Sequence, residues 1–172
     1  MDVLDSYSGH TDPGGAAIRR DLPGLSITKL SVGPMDNNAY LLTCRATNEA
    51  LLVDAANEAD RLADLVGTGD TRADLRHIVT THRHGDHWQA LGAIAGMFET
   101  RQIAHPEDAP ELPIPTDELV SHGDTVSFGR IVLRCPYTGR SRRWRRSAGT
   151  MSSTEGMRPS LPRREWAGAS PH

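Results

Sequence analysis

The sequence predicts a mixed α/β (α+β) domain: a sheet of early strands, extended by alternating strands and helices and covered by those helices. Three observations carry this. Before residue 55, apolar and polar residues alternate in short runs, the mark of half-buried strands. Beyond it, strand-like and helix-like runs take turns, as in a sheet with helices packed on it. Finally, a β-branched run at 75–81 leads directly into a cluster of three histidines and an aspartate, a strand-to-helix corner suited to a site.

The elements follow in order. Residues 1–24 are broken by glycine and proline and read as an irregular lead-in. "LSITKLSV" (25–32) alternates as a half-buried strand does, "GPMDNN" is a turn, and "AYLLTC" (39–44) is a second strand. "NEALLVDA" (48–55) is an apolar run with Asp54 near its end, the form of a buried strand whose last residues reach a site. In "NEADRLADLVGTG" (57–69), Leu62, Leu65 and Val66 fall on one helical face and glycine stops the helix. "LRHIVTT" (75–81) is a strand, and "HWQALGAIAGMF" (87–98) a helix with Trp88, Leu91, Ile94 and Ala95 on one side. "TRQIAH" (100–105) is a further strand, "PEDAPELPIP" a loop, and "DTVSFGRIVLRC" (124–135) a hairpin turning around Gly129.

Charge divides the chain at residue 135. Residues 136–172 carry eight arginines against Glu155 and Glu165, a balance of +6, whereas residues 1–135 sum to −9. Leu161 is the only branched aliphatic residue of that tail. So little apolar surface cannot offset the entropy of ordering the segment. The expected organisation is a lead-in over 1–24, a partial domain over 25–135 and a disordered Arg/Ser/Pro/Gly-rich tail over 136–172.

Composition narrows the function. No apolar stretch reaches the ~18 residues of a membrane span, and the acidic, polar start does not resemble a signal peptide. Cys44 and Cys135 lie far apart without a paired spacing, as reduced thiols of a cytoplasmic protein do. The run "RSRRWRR" (140–146) sets arginines around Trp144. A nucleic-acid partner is nevertheless not expected, because a solvated basic run requires none.

The chemistry concentrates in "THRHGDH" (81–87). His82 and His84, two apart on extended chain, can point the same way. Gly85 permits a sharp turn, and Asp86 and His87 then open the next element. Neutral imidazole and carboxylate suit zinc and similar divalent ions, and donors before and after the turn suit two adjacent ions. Read as a solvated loop, the same residues leave the aspartate, the glycine and the placement unexplained.

At these residues the chain resembles the metallo-β-lactamase superfamily, whose motif is Thr-His-x-His-x-Asp-His. "MDNNAYLL", "LLVDA" and "HGDTVSFG" resemble its early strand, its aspartate-ending strand and the turn before its third motif. The resemblance covers roughly 25–135 and implies the N-terminal half of an αββα sandwich. It implies a metal-dependent, glyoxalase II-like hydrolase acting on a small-molecule ester, thioester or lactone, with zinc as the cofactor. His82 and His84 would bind the first ion, and Asp86 and His87 the second. Asp86 would also be catalytic, orienting the attacking hydroxide. Asp54 would fix the ligands' orientation, although an ordinary strand-end role fits that residue as well.

The family supplies further ligands downstream, beginning with His-Thr-Pro-Gly-His, and none has a match here. Instead the chain continues "PYTGRSRR" from residue 136. Codons CCA-TAC-ACC-GGG for Pro136–Gly139, read one nucleotide later, give His-Thr-Pro-Gly. The expectation is a chain truncated or shifted in frame near residue 135, with weak or no turnover, or a non-catalytic remnant that at most binds metal weakly. His105, His122 and Cys135 are the remaining candidates to complete the ligand set, while His77 reads as a packing or surface residue.

Overall fold

The alternating run at 25–32 forms β3 (Leu25–Val32), which pairs antiparallel with β4 (Asn37–Cys44) across the turn at 33–36. The structure, a computed structural model, describes residues 3–4, 9–67 and 72–136. The expected disordered tail, apart from Pro136, and the "RSRRWRR" run lie outside the described residues.

The remaining strands follow in chain order: β1 (Val3–Leu4), β2 (Ala17–Leu22), β5 (Glu49–Val53), β6 (Asp74–Val79), β7 (Arg101–Ala104) and β8 (Glu118–Leu119). Strands β1 to β8 make one sheet in sequential order, antiparallel from β2 to β5 and parallel from β5 to β8. Two connections of the parallel half are helical: α1 (Ala59–Val66) joins β5 to β6, and α2 (Leu91–Phe98) joins β6 to β7. Such crossovers are what parallel neighbours need. A separate antiparallel hairpin, β9 (Thr125–Phe128) and β10 (Ile131–Arg134), turns at Gly129.

Strand periodicity sorts the core into two layers. Leu30, Val32, Ala39, Leu41, Ala50 and Leu52 face α1 and α2, where they meet Leu62, Val66, Leu91 and Ile94. Leu25, Leu42, Leu51, Val53 and Ile103 face the other way and are covered by Val126, Phe128 and Leu133 of the hairpin. Full burial of one such leucine contributes roughly 1.5–3 kcal/mol. In β6 the alternation breaks: Ala50 pairs with Leu75 but Leu51 with His77, so Arg76 is an extra residue in a bulge. The bulge lets Leu75 and Ile78 share the helix-facing layer. Among the described residues no helix is long and apolar enough to cross a membrane.

The fold corrects the reading of 1–24 as irregular, since residues 17–22 form β2 and 3–4 form β1. In "AIRRDL" only the first two residues are buried, so strand periodicity is hidden by three charged side chains. The stronger signal is "LPGL": Leu22 pairs with Leu25 around Pro23 and Gly24, whose φ is 84°. Proline followed by a glycine at positive φ is a tight-turn signature. The second helix also starts later than expected. A single 3₁₀ turn occupies Gly85–His87, and α2 begins at Leu91.

Candidate metal centre

The centre is assembled where β5 and β6, parallel neighbours, end together. Asp54 follows β5, and its N–H donates to the Val79 carbonyl at 2.9 Å, closing the ladder. Its backbone is left-handed, φ 57°, a conformation aspartate tolerates better than most residues. The carboxylate is 2% exposed and accepts three hydrogen bonds. Oδ1 accepts the Thr81 N–H at 2.8 Å, and Oδ2 accepts the Thr81 hydroxyl at 2.8 Å and His87 Nδ1 at 2.9 Å. A buried carboxylate without such donors would be strongly unfavourable.

These bonds fix the imidazole tautomers. A carboxylate only accepts, so His87 Nδ1 carries a proton. The Thr81 hydroxyl has one hydrogen, committed to Asp54, yet its oxygen lies 3.0 Å from His82 Nδ1. His82 Nδ1 must therefore donate to it. When each ring is neutral its lone pair is on Nε2, the nitrogen available to a cation. The ring centroids of His82 and His84 are 4.6 Å apart, and those of His82 and His87 are 4.1 Å apart. The carboxylate of Asp86 closes the group, its Oδ2 3.6 Å from His87 Nε2.

Electrostatics divide the three charged-or-neutral choices. Burial, with the neighbouring His87 and His84, holds His82 below the ordinary histidine value, so it is neutral and ligand-competent at pH 7. Burial opposes protonation of His87, but the Asp54 hydrogen bond and charge, with Asp86, raise it above the usual value. Burial pushes Asp86 up, but the Asn37 hydrogen bond, its own backbone N–H and the nearby histidines hold it below the usual carboxylate range.

The corner itself is pinned from several sides. Trp88 donates its indole N–H to the Arg83 carbonyl at 2.9 Å. Asp108 accepts the Arg83 N–H at 3.2 Å, and Glu111 pairs with the Arg83 guanidinium. Gln89 and Ala90 donate backbone N–H groups to Ala56 and Ala55, both at 3.0 Å. Sequence reasoning placed Trp88 on a helical face and gave Asp108 no role, since neither contact follows a helical or strand period.

The structure thus brings His82, His84, Asp86 and His87 together, with Asp54 behind them. The donor chemistry fits a divalent ion such as zinc: imidazoles with fixed tautomers and an ionised carboxylate. The donor count falls short. Among the described residues no group of three or more His, Cys, Asp or Glu side chains is set to hold one ion. Neither His105, His122 nor Cys135 completes such a set here. His77 lies in β6 with its Nδ1 buried and without a hydrogen-bond partner.

Comparison with known proteins gives consistent results. The family model described as metallo-beta-lactamase superfamily matches residues 32–145. A hydroxyacylglutathione hydrolase of Fuscovulum blasticum is 37% identical over 94 residues, covering 55% of this chain and 35% of the relative. A hydroxyacylglutathione hydrolase-like protein of Bos taurus is 32% identical over 112 residues, covering 64% of this chain and 55% of the relative. The chain therefore spans between a third and just over half of these relatives' lengths. Among solved structures, the BLEG-1 B3 metallo-beta-lactamase aligns with a TM-score of 0.58 at 21% identity, over 66% of this chain and 61% of that one. ETHE1 from Myxococcus xanthus aligns with a TM-score of 0.54 at 28% identity, over 63% and 46%.

Proposed function

Because the chain belongs to the metallo-β-lactamase superfamily, we propose that it carries the first metal-binding segment of a hydrolase acting on a small thioester or related ester. The donors are His82, His84, Asp86 and His87, and the ion is zinc. The observation that carries this reading is the buried Asp54 carboxylate holding Thr81 and His87 at once. A carboxylate behind a ligating histidine fixes its tautomer and raises its basicity. The thioester class is supported by the hydroxyacylglutathione hydrolases to which the chain is similar. When bound, such an ion supplies Lewis-acid polarisation of the ester carbonyl and a nucleophile made from water at neutral pH.

The chain's own residues have separate tasks. Asp54 and Thr81 aim the Nε2 atoms of His87 and His82; burial keeps His82 neutral; Asp86 adds negative charge beside them. Cys44 and Cys135 are free, in keeping with a reduced, cytoplasmic protein. A polymeric nucleic acid has no place in this reading.

Two donors for each ion hold it weakly and leave the attacking water poorly oriented. The chain as it stands turns over a hydroxyacylglutathione thioester slowly or not at all. The non-catalytic alternative, a remnant that at most binds metal, is favoured by the short donor count among the described residues. Metal analysis after zinc dialysis, with a thermal melt, separates the two. Bound zinc, a cooperative melt and His84-dependent thioester hydrolysis support the enzyme. A chain without zinc and without a cooperative melt overturns it.

A further inference from the structure

Asn37 opens β4, and its side-chain amide reaches across 49 residues of sequence to Asp86. Both hydrogens of that amide are committed there. Nδ2 donates to the Asp86 carbonyl oxygen at 2.8 Å and to its carboxylate Oδ2 at 3.0 Å. One group thus holds the backbone and the side chain of the same residue, which fixes the torsions between them. The oxygen it holds is the one 3.6 Å from His87 Nε2.

The amide is itself well anchored. The turn before it has Gly33 at φ 73° and Asp36 at φ 54°, with the Ser31 hydroxyl bonded to the Asp36 carboxylate. Glu58 Oε2 accepts the Gly33 N–H at 2.9 Å. Asn37 then enters the ladder opposite Val32. By contrast Asp86 sits on a three-residue 3₁₀ turn between His84 and Trp88, an element too short to fix a side chain alone.

We propose that Asn37 is a positioning residue for Asp86, setting which carboxylate oxygen faces the histidine cluster. The inference rests on the metal-centre reading for its purpose, but the contact exists without an ion and can be tested without one. Two measurements on the full chain separate the cases. The first is Co²⁺ affinity, by competition with a chromophoric chelator, for the wild type, Asn37→Ala and Asn37→Ser. A serine hydroxyl has one hydrogen and is too short to replace the double contact. Both variants are expected to lose about tenfold or more in affinity. The second is amide hydrogen exchange of metal-free protein, where Asp86 and His87 should exchange faster in both variants while Leu52 and Ile78 are unchanged.

Equal Co²⁺ affinity in wild type and variants overturns the inference. If the wild type takes up no Co²⁺, the metal-centre reading fails, and exchange decides: unchanged protection at Asp86 and His87 overturns the inference, and a local increase sustains it. Loss of cooperative melting in both variants assigns Asn37 to the whole fold and also overturns it.

Discussion

Asp54 Oδ2 lies 2.9 Å from His87 Nδ1, joining the end of one parallel strand to the turn that follows the next. The same oxygen accepts the Thr81 hydroxyl. Three donors therefore converge on a single carboxylate, and an amide cannot replace it without setting N–H against N–H.

Asp54→Asn is expected to lower stability by about 1–3 kcal/mol, the range for a buried donor left unpaired. It should also weaken zinc binding by about 10- to 100-fold, because the tautomer of His87 is no longer imposed. Urea denaturation of metal-free protein and chelator competition read the two effects separately. An unchanged zinc affinity would remove Asp54 from the centre.

Gly129 turns the hairpin at φ 53°, and a Cβ there would lie 2.8 Å from Cys44 Sγ. The contact is with a fully buried residue of β4, so the turn cannot move outward without lifting the hairpin. Gly129→Ala should cost about 1–3 kcal/mol from overpacking alone, with more from the strained φ. The midpoint of urea unfolding tests this; a shift within error of zero contradicts the hairpin's placement.

Leu52 is fully buried in β5, within the helix-facing layer. Leu52→Ala should cost about 2–5 kcal/mol by lost burial and an unfilled cavity. For a domain of marginal stability, this variant should be largely unfolded at 37 °C by circular dichroism.

Burial holds His77 below its ordinary value of 6.5. The folded state then binds fewer protons than the unfolded state as pH falls through that value. Stability contributed by neutral His77 is present above about pH 6.5 and is lost as pH falls toward the folded value. His77→Leu should flatten the decline in urea midpoint between about pH 7.5 and about pH 5.5. An identical decline in the variant assigns the pH dependence to other groups.

The coding sequence offers a test independent of folding. Read one nucleotide later past codon 135, it should give His-Thr-Pro-Gly and continue with further strand and helix patterns. An alternative frame without such patterns removes the frame-shift explanation for the change in composition at residue 136.

Much of this was legible because it is local. The strand over 25–32 has the bounds its sequence gives, since its apolar residues stand two apart, Leu25 and Ile27 on one face and Leu30 and Val32 on the other. The hairpin about Gly129 and the clustered side chains of His82, His84, Asp86 and His87 are likewise contained in short windows. Contacts made through space were not legible. Asn37 reads as a turn residue and as part of the family's early strand, but its tie to Asp86 is hidden because that partner is 49 residues away. Strand β8 escaped because two residues, Glu118 and Leu119, carry no period. Helix α1 ends at the glycine stop its sequence announces, Gly67 at φ 91°, but begins only at Ala59, because its N-cap, Glu58, is left-handed at φ 51°.

The bulge at Arg76 has an outcome at the far end of its strand. Every side chain after it is in antiphase with an unbulged strand of the same sequence, so the bulge decides that Val79 turns one way and Thr81 meets Asp54. Run straight through Arg76 without the bulge, the same sequence would turn Ile78, Val79 and the histidine corner beyond them by half a pleat. The bulge sets that one residue aside at the surface, and the alternation that brings Thr81 to Asp54 is kept.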